Sequence, residues 1–304
     1  MDRKEIESKV TDSIIAALEQ GVAPWRKPWT AGAFDMPVSV ATGKAYRGIN
    51  WLILEAKRME KGYERNLWLT FKQAKALGGK VRKGEKSTAI VFWRIVKAEK
   101  DIDGKREEVK VPLLRYYNVF NVEQVDGLEL PPRFTKVDDR EPVEVLDGLQ
   151  AIIDGYVDAP EVHHVGGDRA YYTPSLDTIT MPKREQFESA EGYAETLLHE
   201  FVHSTGHESR LNRLDGGACF GNESYAQEEL VAEIGMAMLA QIAGINVTTE
   251  QTASYVQSWL KVLKDDRSLV IKAAQQAQKA AERIAPSTPI AEDSEESEEA
   301  LVAA

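Results

Sequence analysis

The chain has 304 residues, 43% of them hydrophobic, and no apolar run is long enough to span a membrane. The polar N-terminus lacks a secretory signal, and the single cysteine, Cys219, excludes an internal disulfide, so a cytoplasmic protein is expected. The net charge of −11 is uneven, because residues 1–100 carry a balance of +9 and the remainder −20. Such halves predict two modules, the basic one with a polyanionic partner.

Hydrophobic spacing predicts the α+β fold class, with two domains. Residues 1–126 are expected to form a small basic α+β domain, and residues 144–285 a mainly helical one. The chain should begin with a helix from Arg3 to Glu19, stopped by Gly21. The other N-terminal elements are predicted as helices near Trp51–Lys61 and Phe71–Leu77, and strands near Ser87–Lys97 and Val109–Val119 with a turn at Asp101–Lys105.

Prolines and charges set the limits of the second domain. Pro131, Pro132 and Pro142 predict a linker over residues 127–143, and an acidic stretch predicts a disordered tail over 286–304. Between them we expect a helix near Val143–Gly155, two short strands over Ala170–Pro182, two helices that carry the motif described next, and one long helix from about Thr249 to Ile284 with Trp259 and Leu260 on its buried face.

The strongest chemical signal is an H-E-x-x-H motif formed by His199, Glu200 and His203 within an apolar run. Histidines four residues apart lie on one face of a helix, so both imidazoles can bind one metal ion. Glu200 would stand beside that ion, as a general base for a water that the metal activates. Because the chain has only 5 histidines, a chance match is the weaker alternative.

A catalytic zinc site takes a third protein ligand. The metzincin pattern would need a histidine where this chain has Ser209, so that pattern is incomplete. Glu229 is the better candidate, and it shares a helical face with Glu233 four residues later. Two carboxylates on an apolar face favour a cationic neighbour, so Glu229 is predicted as a ligand and Glu233 as the acceptor that orients a ligand imidazole. Glu228, on another face, is expected to be solvated.

This pattern resembles the gluzincin branch of zinc metallopeptidases, in which a glutamate helix with E-x-x-x-D follows the motif helix. Glu233 replaces the aspartate here. Zinc is the expected cofactor, and manganese, cobalt or nickel could occupy a His2Glu site in vitro. Tyr225 or His207 is a candidate to stabilise the oxyanion that forms when the activated water attacks a peptide carbonyl. Two alternatives stay open: the glutamates are surface residues of an amphipathic helix, and residues 170–182 are either a substrate edge or a plain hairpin.

The basic half of the chain is also rich in aromatic residues, with five of the six tryptophans. Aromatic faces stack on unpaired bases and cations bind phosphates, so this region predicts single-stranded DNA as partner, with double-stranded DNA as a further candidate. The alternative is a domain with core tryptophans and solvated lysines. The candidate DNA-binding residues are Trp25, Arg26, Lys27, Trp29, Lys44, Tyr46, Arg47, Trp51, Lys80, Arg82, Lys83 and Lys86.

Residues 23–29, 42–50, 68–74 and 81–86 resemble the N-terminal domain of ArdC-type antirestriction proteins, a domain that also occurs in plasmid conjugation primases. The H-E-x-x-H segment and the helix with Glu229 and Glu233 resemble the C-terminal zincin-like domain of that family, in the same order. The resemblance implies a protein of plasmids or other mobile elements that binds single-stranded DNA and protects it from host restriction. A host restriction component is then a candidate protein substrate.

Three functional hypotheses follow. The first is an antirestriction protein with a zinc peptidase site, the second a DNA-coating protein whose metal site is structural or vestigial, and the third a zinc peptidase with no DNA role. Glu200 favours catalysis, because a structural metal site does not need this carboxylate. A nuclease is disfavoured, since nuclease sites usually gather carboxylates around magnesium or manganese.

Overall fold

The structure is a computed structural model that describes residues 3–21, 23–25, 36–102, 105–134, 145–214, 223–247 and 253–285. The tail over 286–304, most of the predicted linker, and three of the candidate DNA-binding residues (Arg26, Lys27 and Trp29) lie outside these ranges. None of the helices in the described ranges combines the length and apolar character needed to cross a membrane.

The N-terminal half is a twisted sheet flanked by helices, as the sequence predicted. Its main sheet has the strand order β1-β2-β5-β4, with β1 parallel to β2 and the other pairs antiparallel. A small antiparallel pair, β3 and β6, lies apart from it. The elements are α1 (Arg3–Glu19), β1 (Val38–Ser39), α2 (Ile49–Lys61), β2 (Leu67–Thr70), α3 (Phe71–Ala76), β3 (Lys80–Val81), β4 (Thr88–Ile102), β5 (Lys105–Asn121) and β6 (Val125–Asp126).

Local sequence explains where these elements begin and end. The first helix ends at Glu19, as predicted, before Gly21. A capping box starts α3, because Thr70 accepts a hydrogen bond from the Gln73 amide at 3.2 Å and the Gln73 side chain accepts one from the Thr70 amide at 2.8 Å. The strands of the long hairpin end at Ile102 and restart at Lys105, which agrees with the predicted turn.

The C-terminal half is mainly helical and carries a small mixed sheet of order β7-β9-β8. Its elements are α4 (Val145–Gly155), β7 (Glu161–Val165), β8 (Tyr171–Thr173), β9 (Thr178–Pro182), α5 (Ala190–Ser204), α6 (Glu223–Ala243), α7 (Ala253–Asp265) and α8 (Leu269–Ile284). The predicted helix near Val143–Gly155 and the two short strands are confirmed.

The prediction of one long helix up to Ile284 is wrong, because the chain breaks between α7 and α8. Asp266 accepts hydrogen bonds from the amide and the hydroxyl of Ser268, at 2.8 and 2.7 Å. A carboxylate that binds a backbone amide two residues later favours a turn over a continuous helix. The predicted burial of Trp259 is confirmed, and Leu260 is partly buried.

One hydrophobic core joins the two halves of the chain. The first helix packs on α7. In the turn after α7, the Arg267 carbonyl accepts a hydrogen bond from the Thr11 hydroxyl at 2.6 Å, and Arg267 forms an ion pair with Asp12 at 2.6 Å. Trp25 contacts Trp259 edge to face, with ring centroids 5.4 Å apart. The core therefore runs continuously from α1 and α2 to the helices of the second half.

The described part of the predicted linker also packs against the protein. Phe134 is buried in a second core cluster with Val38 and Val122. Arg133 donates a hydrogen bond to the Val40 carbonyl at 2.9 Å. Residues 128–134 thus extend the N-terminal half.

Candidate metal centre and N-terminal surface

The predicted metal ligands come from two crossing helices. Ser189 caps α5 by accepting a hydrogen bond from the Gly192 amide at 3.0 Å. One helical turn separates His199 from His203, and their Nε2 atoms lie 3.0 Å apart. The motif therefore folds as a helix with both imidazoles on one face.

Glu229 of α6 completes a three-residue donor set. Its two carboxylate oxygens lie 3.4 Å from His199 Nε2 and 3.5 Å from His203 Nε2. Ligands that lie about 2.0–2.1 Å from a tetrahedral ion are about 3.3 Å from one another. Among the described residues, these three form the group of side chains that fits a metal ion, and their chemistry suits zinc or a similar divalent metal.

A close helix crossing brings the two ligand helices together. Gly235 faces Val202, and a Cβ atom added at Gly235 would lie only 2.9 Å from both γ carbons of Val202. A glycine at this point therefore lets α6 approach α5 closely enough for Glu229 to reach the histidines.

A carboxylate backs each ligand histidine on the side away from the metal position. Glu233 lies 3.5 Å from His199 Nδ1, as its predicted orienting role requires. The expectation that Glu228 is solvated is wrong: Glu228 is buried and lies 3.1 Å from His203 Nδ1. Such contacts fix the orientation and the tautomer of a ligand imidazole.

Arg213 holds Glu228 in this position, and sequence reasoning missed it. The Arg213 guanidinium donates to both Glu228 oxygens, at 2.9 and 2.8 Å, and to the Val202 carbonyl at 2.5 Å. It also donates to the Thr205 hydroxyl at 2.6 Å. Arg213 thereby links the end of α5 to the start of α6.

The electrostatics of the metal-free centre follow from this packing. Burial opposes the charged form of His203, but the carboxylates of Glu228 and Glu229 outweigh it and raise the pKa of His203 to about 10. Burial likewise opposes ionisation of Glu229, yet hydrogen bonds from His199 and His203 lower the pKa of Glu229 well below its ordinary value. The site is thus built to hold anionic carboxylates around a cation.

Glu200 directly follows His199 on α5 and is buried, with only 7% of its surface exposed. The two candidate oxyanion stabilisers differ in position. Tyr225 lies one turn before Glu229 on α6 and is partly buried. His207 follows the end of α5, and its Nδ1 lies 2.7 Å from the Ser209 hydroxyl. These roles stay predictions.

The strands over Ala170–Pro182 lie beside the motif helix. β8 is an edge strand of its sheet, and both β8 and β9 contact α5. Arg210 joins the β8–β9 hairpin to the end of α5, because its guanidinium pairs with Asp177 and donates to the Ser204 carbonyl at 2.8 Å. The Tyr172 hydroxyl donates to the same Asp177 carboxylate at 2.7 Å.

The predicted DNA-binding residues divide into buried and exposed groups. Trp25 and Trp51 are fully buried, and the Trp51 indole donates to Gln241 at 2.6 Å. Neither ring has a free face for a base, so the prediction that Trp25 and Trp51 stack on DNA is wrong. Their large apolar rings are buried in the hydrophobic core instead. Lys80, Arg82, Lys83 and Lys86 are exposed, whereas Lys44, Tyr46 and Arg47 are partly buried around a cleft.

An exposed aromatic residue lies in the basic surface and was not predicted. Phe71, at the start of α3, is 59% exposed and precedes the exposed Lys72 and Lys75.

Comparisons with known proteins agree with this architecture. Residues 4–120 match the family model for the N-terminal domain of the anti-restriction factor ArdC, and residues 154–276 match the model for a zincin-like metallopeptidase domain, MPTase-PolyVal. An uncharacterized protein, y4eC, from Sinorhizobium fredii (strain NBRC 101917 / NGR234) is 36% identical over 288 residues, which cover 91% of this chain and 91% of that protein. The crystal structure of metal-free antirestriction protein ArdC from plasmid R388 is 43% identical, with a TM-score of 0.75, and the match covers 91% of this chain and 96% of that one. This chain belongs to the ArdC antirestriction family.

A Mn(II)-bound crystal structure of ArdC from plasmid R388 is also similar, at 42% identity and a TM-score of 0.75 over 93% of this chain and 97% of that one. The zincin-like domain of this ArdC-family protein implies a divalent metal, and the donor set of His199, His203 and Glu229 fits one.

Two proteins called DNA primase TraC, from Escherichia coli, are each 38% identical over 91% of this ArdC-family chain. The chain spans only 20% and 27% of their lengths. The match therefore concerns one part of those longer proteins.

Proposed function

We propose that this ArdC-family protein binds the single-stranded DNA of an incoming mobile element and shields it from host restriction. We further propose that its C-terminal centre is a zinc-dependent peptidase of the gluzincin type. The observation that carries the second proposal is the convergence of three side chains, with the two imidazole nitrogens 3.0 Å apart and each within 3.5 Å of a Glu229 oxygen. The buried Glu200, which is not one of the three, directly follows His199 in the chain.

A divalent ion held by His199, His203 and Glu229 would lower the pKa of a coordinated water and polarise a peptide carbonyl. Glu200 is the residue that accepts the proton of the attacking water and returns it to the leaving nitrogen. Glu228 and Glu233 hold the two imidazoles so that their Nε2 atoms face the metal position. The outer edge of β8, which has no paired strand among the described residues, is the proposed binding place of an extended peptide, by addition of a strand.

The donor set favours catalysis over a structural role. Structural zinc sites are usually closed by four ligands and rich in cysteine, whereas the described residues supply two histidines and one glutamate. A metal held by three protein ligands would keep a coordination position for water and substrate.

The test compares zinc-loaded wild-type protein with Glu200→Gln on unfolded proteins and on purified host restriction enzymes, which are the proposed substrates. Removal of a general base should lower the cleavage rate at least about 100-fold. The zinc content, measured by mass spectrometry, should stay the same. Cleavage that survives the substitution would refute the assigned role of Glu200, and zinc binding without any cleavage would favour the DNA-coating alternative.

The DNA proposal rests on charge and exposure. The described N-terminal surface carries exposed Lys80, Lys83 and Lys86 together with the exposed ring of Phe71. Cations bind phosphates and a free aromatic face stacks on an unpaired base, so single strands should bind more tightly than duplex.

Fluorescence anisotropy of the full chain with labelled single- and double-stranded DNA, over a salt series, tests this. Lys83→Ala combined with Lys86→Ala should reduce the log-log salt slope by about 0.7 for each phosphate that is no longer neutralised. Lys264→Ala is the control, because Lys264 is also an exposed lysine but lies on α7, where it pairs with Glu19. Affinity that does not depend on salt would refute the proposal.

A further inference from the structure

A cleft of about 320 Å³ lies between the N-terminal half and the last helix, and no residue of the metal centre lines it. One wall is formed by residues 39–50 and the other by α8, through Gln275, Gln278, Lys279 and Glu282. Its floor comes from the long hairpin, with Phe92 of β4 and Tyr117 of β5. The cleft is therefore complete only when both halves of the chain are present.

Hydrogen bonds and an ion pair hold the two walls together. The Gly48 amide donates to the Gln278 side chain at 2.9 Å, and Arg47 forms an ion pair with Glu282. Gln278 in turn donates to Glu282 at 2.9 Å. These bonds fix α8 against the loop before α2, so the cleft is preformed.

The floor is equally fixed. Asn50 pairs with the backbone of Val91, donating to its carbonyl at 2.6 Å and accepting from its amide at 2.7 Å. The rings of Phe92 and Tyr117 meet edge to face, with centroids 6.0 Å apart. A rigid aromatic floor loses little entropy when a flat ligand binds to it.

Two features of the cleft indicate its ligand. Lys44, Arg47 and Lys279 outnumber the single acidic residue among the described lining residues, Glu282, so the cleft attracts anions. The buried hydroxyl of Tyr117 has no hydrogen-bond partner among the residues that the structure describes. A buried, unpaired hydroxyl carries a cost that a ligand group can remove.

We propose that this cleft binds one nucleotide of single-stranded DNA, with the base against Phe92 and Tyr117 and the flanking phosphates at Lys44 and Lys279. The inference rests on the proposed single-strand binding and locates a part of it. Its distinctive consequence is that α8, which follows the zincin-like elements in the chain, contributes directly to DNA binding.

The test uses the full chain and a labelled oligothymidylate in anisotropy titrations. Lys279→Ala should weaken binding about threefold at low salt and reduce the salt slope by about 0.7. Lys272→Ala is the matched control, since Lys272 is an exposed lysine on the same helix outside the cleft. Tyr117→Phe should weaken binding about threefold to tenfold, without lowering thermal stability, because it removes only a hydroxyl that has no described partner.

The outcomes separate the two proposals. Oligonucleotide binding that is unchanged in Lys279→Ala and Tyr117→Phe overturns the cleft and leaves single-strand binding on the exposed surface intact. Equal losses in Lys279→Ala and Lys272→Ala also overturn it, because the effect is then one of net charge. No binding by the wild-type chain removes the DNA proposal as a whole. Thymidine monophosphate that competes as well as the oligonucleotide would assign the cleft to a free nucleotide and overturn the proposal.

Discussion

Arg213 offers the sharpest test of how the metal centre is built. Its side chain is 9% exposed and forms an ion pair with Glu228, whose side chain is 11% exposed. Arg213→Met keeps much of the length of the side chain but removes every hydrogen bond of the guanidinium. Glu228 is then left buried without its cation, beside His203.

We expect Arg213→Met to lower both the stability of the protein and its affinity for metal. Removal of one partner from a buried ion pair costs about 3–5 kcal/mol, which lowers the melting temperature by roughly 6–20 °C for a chain of this size. Loss of an orienting contact behind a metal ligand lowers metal affinity about 10- to 100-fold. The free energy of unfolding is measured by thermal and urea denaturation, and zinc affinity by competition with a chromophoric chelator.

Arg283→Met is the matched control. Arg283 also pairs with an aspartate, Asp158, but both side chains are more than a third exposed, and such pairs contribute about 0–1 kcal/mol. A stability loss in Arg213→Met with unchanged zinc affinity would refute the orienting role of the Arg213–Glu228 pair. If Arg213→Met has the same stability and the same zinc affinity as Arg283→Met, the structural role of the Arg213–Glu228 pair is refuted as well.

Four further predictions concern the same region. Gly235→Ala should lower the free energy of unfolding by about 1–3 kcal/mol and weaken zinc binding, because the new methyl group meets Val202. Adding Val202→Ala should restore part of the stability and part of the zinc affinity. A denaturation series in which the second substitution restores no stability would contradict this contact. Because the pKa of His203 is about 10 in the metal-free protein, zinc binding at pH 8 should release close to one proton from this residue. Calorimetry in buffers of different ionisation enthalpy measures the number of protons released. Zero release would be inconsistent with a charged imidazole. The same raised pKa stabilises the metal-free fold fully below about pH 6.5, and this contribution is lost as the pH rises through about 10, so unfolding midpoints should fall over that range. Arg210→Met should release the β8–β9 hairpin from α5, giving faster amide exchange at Tyr172 than in Arg283→Met.

Sequence reasoning located the motif helix and the glutamate helix, because both signals are local: a spacing of four residues on a helix fixes which side chains share a face. It failed on Glu228, since angular position alone assigned that carboxylate to solvent. The deciding contact comes from Arg213, which approaches across the turn that follows α5 and lies 15 residues before Glu228 in the chain.

The aromatic N-terminal region shows the opposite limit. Composition identified a basic segment rich in tryptophan, but composition does not distinguish a ring that stacks on a ligand from one that fills a core. Trp51 is fully buried, and Gln241, a residue of α6 that is 190 positions away, accepts a hydrogen bond from its indole nitrogen. Phe71 contacts Phe120 edge to face, with ring centroids 6.4 Å apart, yet Phe71 is 59% exposed.

The contact between α1 and α7 has a consequence for how this architecture is inherited and engineered. Dividing the chain between the two family-model regions would uncover Trp259 and the apolar faces of α1 and α7 together. The TraC relatives match 91% of this chain as one continuous stretch inside much longer proteins. We therefore expect the whole span to unfold in a single cooperative transition, and fusion or transplantation of this module to succeed only when its first helix and its last two helices travel together.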